Sequence, residues 1–129
     1  DFLTEAENTE MMWSWQAGYK FLNFEGTFTS ATVADPTDFK IHMGSHGSSL
    51  DNYKETSLSL GTEALVSNEL NPIIHLVVDA NNILDGENKI SLTEQSVIMV
   101  SEEKSPKIAV NTSKMFSVDH VHNGDGSSH

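Results

Sequence analysis

The 129-residue chain is the size of one domain, contains no cysteine, and sets 19 acidic against 7 basic residues for a formal charge of −12. Disulfides and thiolate metal sites are therefore excluded, while oxygen, imidazole and thioether ligands remain. The charge repels nucleic acid and anionic membranes and draws cations to the surface, and no apolar run approaches the roughly 18 residues of a membrane span.

Residues 1–10 are acidic and polar and predict a loop or short turn. The opening Asp1-Phe2-Leu3-Thr4-Glu5 has no signal-peptide pattern and reads as interior sequence, which implies a removed leader or further sequence upstream. Gly18 to Phe28 predicts a strand, with Tyr19, Phe21 and Asn23 on one side and Lys20, Leu22 and Phe24 on the other. Two largely apolar faces imply burial on both, and Gly26 marks a bulge or a close approach. Ala34-Asp35-Pro36-Thr37 is a turn signal. Asp38 to Met43 predicts a second strand, with Phe39, Ile41 and Met43 sharing a face and Lys40 and His42 on the other.

Gly44 to Ser49 reads as a flexible loop, and Glu55 to Leu60 alternates as a strand with Leu58 and Leu60 inward. Pro72 opens the strongest strand pattern, Ile73 to Ala80. Asn81 to Gly86 predicts a turn or a single helical turn, and Ser96 to Val100 a strand edge or the start of a helical segment. Ser105-Pro106 resembles a cap and first helical position, and Lys107 to Phe116 places Ile108, Thr112 and Met115 on one helix face. Ser117 to His122 alternates as a last strand, and Asn123 to His129 is a Gly/Ser-rich tail. These elements predict an all-β fold, an antiparallel β-sandwich with one or two short helices. It forms a single domain over residues 1–123, followed by a mobile tail, 124–129.

Six histidines offer the chemistry. His120-Val121-His122 puts two imidazoles on one face of a strand, about 7 Å apart at Cα, and imidazole suits copper, zinc and nickel. Asp119 is placed to orient one ring if the backbone bends. The same pattern also describes two exposed polar residues near a frayed end. His42-Met43-Gly44-Ser45-His46 joins a strand-end histidine to one in a glycine-flanked loop. Met11-Met12-Trp13-Ser14-Trp15 offers thioethers, which favour Cu(I), or else an aromatic core plug. His75, between Ile73 and Val77 in an apolar strand, reads as a hydrogen-bonded core histidine, and His129 as tail. Calcium-loop, nucleophile-elbow, P-loop and dinucleotide patterns fail for want of the required residues. Asn111-Thr112-Ser113 is a glycosylation sequon.

The run Met11-Met12-Trp13-Ser14-Trp15-Gln16-Ala17-Gly18-Tyr19-Lys20-Phe21-Leu22-Asn23-Phe24-Glu25-Gly26 resembles the signature of the methanobactin-associated copper-binding proteins, the MbnP-like family. Phe39-Lys40-Ile41-His42-Met43-Gly44-Ser45 is similar to its F-x-x-H-x-G-S segment, and the ending Ser113 to Asn123 looks like that of relatives from Bacteroidota-type bacteria. The resemblance implies a secreted, periplasmic or cell-surface β domain that holds a copper ion with histidines and with kynurenine, an oxidised tryptophan. A di-haem peroxidase-like enzyme would be the oxidising partner. Carried onto this chain, Trp13 or Trp15 is the oxidation target and His42 the motif histidine, with His46, His120 and His122 as further metal candidates. Many relatives carry a cysteine where this chain has Ser48 and Ser49. The family domain also has strands ahead of the W-x-W motif, so another chain or a cleaved N-terminal fragment is expected to complete the sandwich. The sequence reading is metal capture rather than catalysis. The alternative is a structural or adhesive module with no metal.

Overall fold

Alternation in Thr37–Gly44 builds the interior: Phe39, Ile41 and Met43 are buried, while Lys40 is exposed and His42 half-buried. The structure is a computed structural model that describes residues 11–14, 18–45 and 52–124. Its elements are β1 (Met12–Ser14), β2 (Gly18–Phe28), β3 (Thr37–Gly44), β4 (Ile73–Val78), a 3-10 turn (Ala80–Ile83), β5 (Val97–Ile98), α1 (Lys104–Ser113) and β6 (Phe116–His122). One sheet has the order β1-β2-β3-β5, and the other pairs β4 with β6. All pairings are antiparallel except β3–β5, where Lys40 faces Val97 and Ile41 faces Ile98 in parallel. The predicted class therefore holds: mostly β, two sheets, one short helix.

The core lies where β3 and β5 meet α1 and the 3-10 turn. Phe39, Ile41, Met43, Ile83, Ile98, Ile108 and Ala109 form it, and Leu22, Phe24 and Phe28 of β2 pack against it. Only that inner face of β2 is covered: Asn23 and Glu25 on the other face are exposed, as is Phe21 at the register shift between Lys20 and Leu22, so the strand is not buried on both sides as its two apolar faces predicted. Gly26 is a close approach, since a Cβ there would sit 3.0 Å from the Phe39 ring across the ladder.

Three expectations change. Glu55 to Leu60 forms no strand: the segment is largely exposed, and Thr56 donates to the Ser113 carbonyl at the end of α1. The helix starts at Lys104, one residue before the predicted cap. Ser105 is instead fully buried inside the first turn, where its hydroxyl accepts from the Ser101 N–H while the Ser101 hydroxyl accepts from the Lys104 N–H. Pro106 still falls in the first turn, where a missing N–H costs nothing. All six residues of β4 are exposed, because its only partner among the described residues is β6 and neither face is covered there. Residues 1–10, Trp15, the loop at 46–49 with His46, and the tail beyond Gly124 with His129 lie outside the described residues.

Candidate metal centre

The β2–β3 ladder sets the first constellation. Asn23 faces His42 and Glu25 faces Lys40, so Glu25 is the diagonal neighbour of His42 on the outer face of the sheet. That diagonal brings Glu25 Oε1 to 2.5 Å from His42 Nε2. Trp13, on β1, meets the same imidazole edge-on, with ring centroids 6.3 Å apart and planes at 78°. Gly44 makes room for the indole: a Cβ there would lie 3.2 Å from Trp13 Cε3 and 2.7 Å from the Tyr19 carbonyl oxygen. The glycine two residues after His42 is thus a seat for the tryptophan of the preceding motif. The His42 side chain is only 12% exposed.

The hydrogen bond from His42 holds the Glu25 carboxyl below its ordinary value of 4.5, against partial desolvation, and the charges of His42, Lys40 and Lys20 act in the same direction. At neutral pH Glu25 is therefore a carboxylate and accepts only, so His42 Nε2 carries the proton. In the neutral ring the lone pair then sits on Nδ1. A metal-binding histidine commonly has this arrangement, with one ring nitrogen donating to a carboxylate and the other facing the ion. Because the folded value is depressed, the stabilisation from this contact is complete above about 4.5 and is lost as pH falls through the lowered value. A carbon-detected NMR titration is expected to place the Glu25 midpoint below 4.5, and His42→Ala to raise it toward the ordinary value; a midpoint already ordinary in the parent protein would contradict the pairing.

The β4–β6 ribbon holds the second constellation. His75 faces His120 directly, but the next pair is Leu76 with Val118, which leaves Asp119 as an extra residue in a bulge. Such a bulge re-aims a side chain, and Asp119 Oδ2 accepts from His120 Nδ1 at 2.8 Å. This is the bend the sequence reading required. His75 is exposed and not in the core; its ring stacks on that of His120, with centroids 4.1 Å apart and planes at 15°. His122 follows on the same face, opposite Ile73.

The structure thus brings Trp13 to His42, and His75 to His120, on two different sheets. Among the described residues no group of three or more His, Asp or Glu side chains is placed to hold a metal ion. Glu25 escaped the sequence reading, and His75, read there as a core histidine, is exposed. Alternation alone puts Glu25 on the His42 side of its sheet, but only strand register reveals the diagonal.

Two imidazoles paired with carboxylates thus lie on a mostly β, two-sheet scaffold without a cysteine. The family model MbnP matches residues 1–121, and the chain belongs to the MbnP family. No curated protein and no solved structure matches it. The family suggests a methanobactin-associated, copper-related role in an extracellular or periplasmic setting. Among the described residues no helix is long and apolar enough to cross a membrane.

Proposed function

We propose that the protein captures or stores copper outside the cytoplasm, by binding and not by catalysis, at a centre built on His42 and Trp13. One observation carries this reading: the indole of Trp13 lies against the His42 imidazole, whose Nε2 is tied to Glu25. The donor set fits a copper-type ion. Nδ1 of His42 offers an imidazole lone pair, and Trp13, once opened to kynurenine, adds an aromatic amine beside it. His46 and Trp15 flank these two residues in sequence and complete the candidate set, with His120 and His122 as the remaining candidates on the other sheet. A di-haem peroxidase-like enzyme is the partner that would oxidise the tryptophan. The acidic surface raises the local cation concentration, and the need for neutral imidazole weakens binding below about pH 6.

Two measurements test the reading. Mass spectrometry of the tryptic peptide that carries Trp13 and Trp15 and ends at Lys20, from natural material, is expected to show tryptophan converted to kynurenine. Metal analysis after dialysis is expected to find copper in the parent protein and a loss of affinity of at least about tenfold in His42→Ala. Unmodified tryptophan together with no copper retained would overturn it.

The six exposed residues of β4 favour a second reading, in which another chain or a cleaved N-terminal fragment lies against the ribbon and the domain serves as a module of an extracellular assembly. Copper-free protein with His42→Ala unchanged in every property would favour that reading.

A further inference from the structure

We propose that the cavity between α1, the start of β6 and the inner face of the β2–β3 ladder binds a small carboxylate with an apolar, ring-sized body. Its floor is apolar: Leu22 and Met43, paired across the ladder, meet Ala109 of α1 and the Met115-Phe116 pair that leads into β6. The segment 52–56 supplies the facing wall and is anchored at both ends. Asn52 Nδ2 donates to the Gly44 carbonyl at 2.7 Å, and the Thr56 hydroxyl donates to the Ser113 carbonyl at 2.8 Å. The enclosed volume is about 250 Å3. An apolar cavity of about 150 Å3 already admits benzene, so one ring with a short chain fits. Met43 points inward from β3 and His42 does not, so this site lies across the sheet from the Trp13–His42 centre.

Three features select the occupant. Phe21 and Tyr53 line the cavity yet are 51% and 66% exposed, and their rings meet edge-on at 6.4 Å. Exposed aromatic faces at a cavity suit an aromatic or alicyclic body. Lys54, also on the lining, sets the charge. Among the described residues Lys89, Lys104, Lys107 and Lys114 each pair with a carboxylate, and Lys20 and Lys40 act on Glu25, whereas Lys54 forms no ion pair. In a chain with a formal charge of −12, a cation left over beside an apolar cavity singles out an anionic head group. The third feature is polar. Asn52 is only 4% exposed, its Nδ2 is committed to Gly44, and its Oδ1 has no hydrogen-bond partner; neither has Thr112 Oγ1 on the α1 side. Such orphans are uncommon in a protein interior. A hydroxyl on the occupant's body can serve either, since it donates to an amide oxygen and accepts from a threonine hydroxyl.

The test follows the methionine methyl resonances of the full chain at neutral pH, on addition of hydroxyphenylpropionate and, separately, of the uncharged alcohol hydroxyphenylpropanol. With the carboxylate, the Met43 and Met115 methyls are expected to shift and saturate, while Met99, outside the cavity, stays fixed. The alcohol is expected to bind about three- to fivefold more weakly, and Lys54→Gln to bring the carboxylate down to the same level, the range of an exposed ion pair. Lys54 is exposed, so this variant keeps the fold. His42→Ala is expected to bind the carboxylate as the parent does, which separates this site from the copper centre. The proposal is overturned by Met43 and Met115 methyls that respond to neither compound, by equal affinity for the two compounds, or by Lys54→Gln protein that binds the carboxylate as the parent does. Shifts of the same two methyls on concentrating the protein alone would also overturn it, by placing a second copy in the cavity.

Discussion

Asn111→Ala is expected to destabilise the protein by about 3–5 kcal/mol, because several backbone groups lose a partner at once and each unsatisfied buried group costs about 1–3 kcal/mol. Asn111 lies on α1 and is fully buried. Its Nδ2 donates to the carbonyls of Ile83 at 3.1 Å and Asn88 at 2.7 Å, and its Oδ1 accepts from the Asn88 N–H at 2.9 Å. One side chain thus fastens the segment after the 3-10 turn to the helix. The surroundings have no means of closing over the gap with backbone of their own. Gly86 already sits so near that a Cβ on it would meet Asn111 Cγ at 2.9 Å and the Asn82 carbonyl oxygen at 2.7 Å. Urea denaturation of the variant measures the loss. A change below about 1 kcal/mol would mean that water or another side chain takes over these bonds.

Ile41→Ala is the second large effect, with an expected cost of about 2–5 kcal/mol from lost burial and the cavity left behind. Ile41 has no solvent exposure and lies at the centre of β3, paired with Phe24 on one side and Ile98 on the other. The neighbouring elements approach it from α1 and the 3-10 turn, so relaxation would have to move several elements together. The slope of the urea transition is expected to stay constant while its midpoint falls. Val77→Ala, on exposed β4, serves as the contrast and is expected to change stability by less than about 0.5 kcal/mol. Equal losses at the two positions would contradict the placement of the core.

Much of the architecture is legible in the residues, and the exceptions have physical causes. The bounds of β2 and the inward set of β3 follow from period-2 alternation, because one face of that sheet meets a real core. Applied to β4, the same rule misleads: Ile, Leu and Val in a row reveal a preference for extended backbone but not whether anything covers it. Glu55 to Leu60 alternates as well, yet no strand among the described residues pairs with it. The parallel pairing of β5 with β3 joins distant parts of the chain and leaves no local pattern.

The candidate sites divide along the same line. His42 and Trp13 stand in recognisable runs, and the structure sets them in contact. The role of Gly44 becomes visible only with the indole in place. His75 looked like interior because its neighbours in sequence are apolar; its true neighbour is across the ribbon. Nothing in Val118-Asp119-His120 announces a bulge, so the reach of Asp119 to His120 was a condition that the sequence posed and the backbone met.

The burial of Asn111 also bears on how the protein can be produced. Its amide nitrogen, the atom to which a glycan would be joined, is committed to two carbonyls in the interior, although the residue heads an Asn-Thr-Ser acceptor sequence. A secretory host that attaches sugars to nascent chains would meet that asparagine before the helix closes over it. The bulky adduct would then hold α1 away from the residues it must grip, turning a silent sequence pattern into a trap for the unfolded chain.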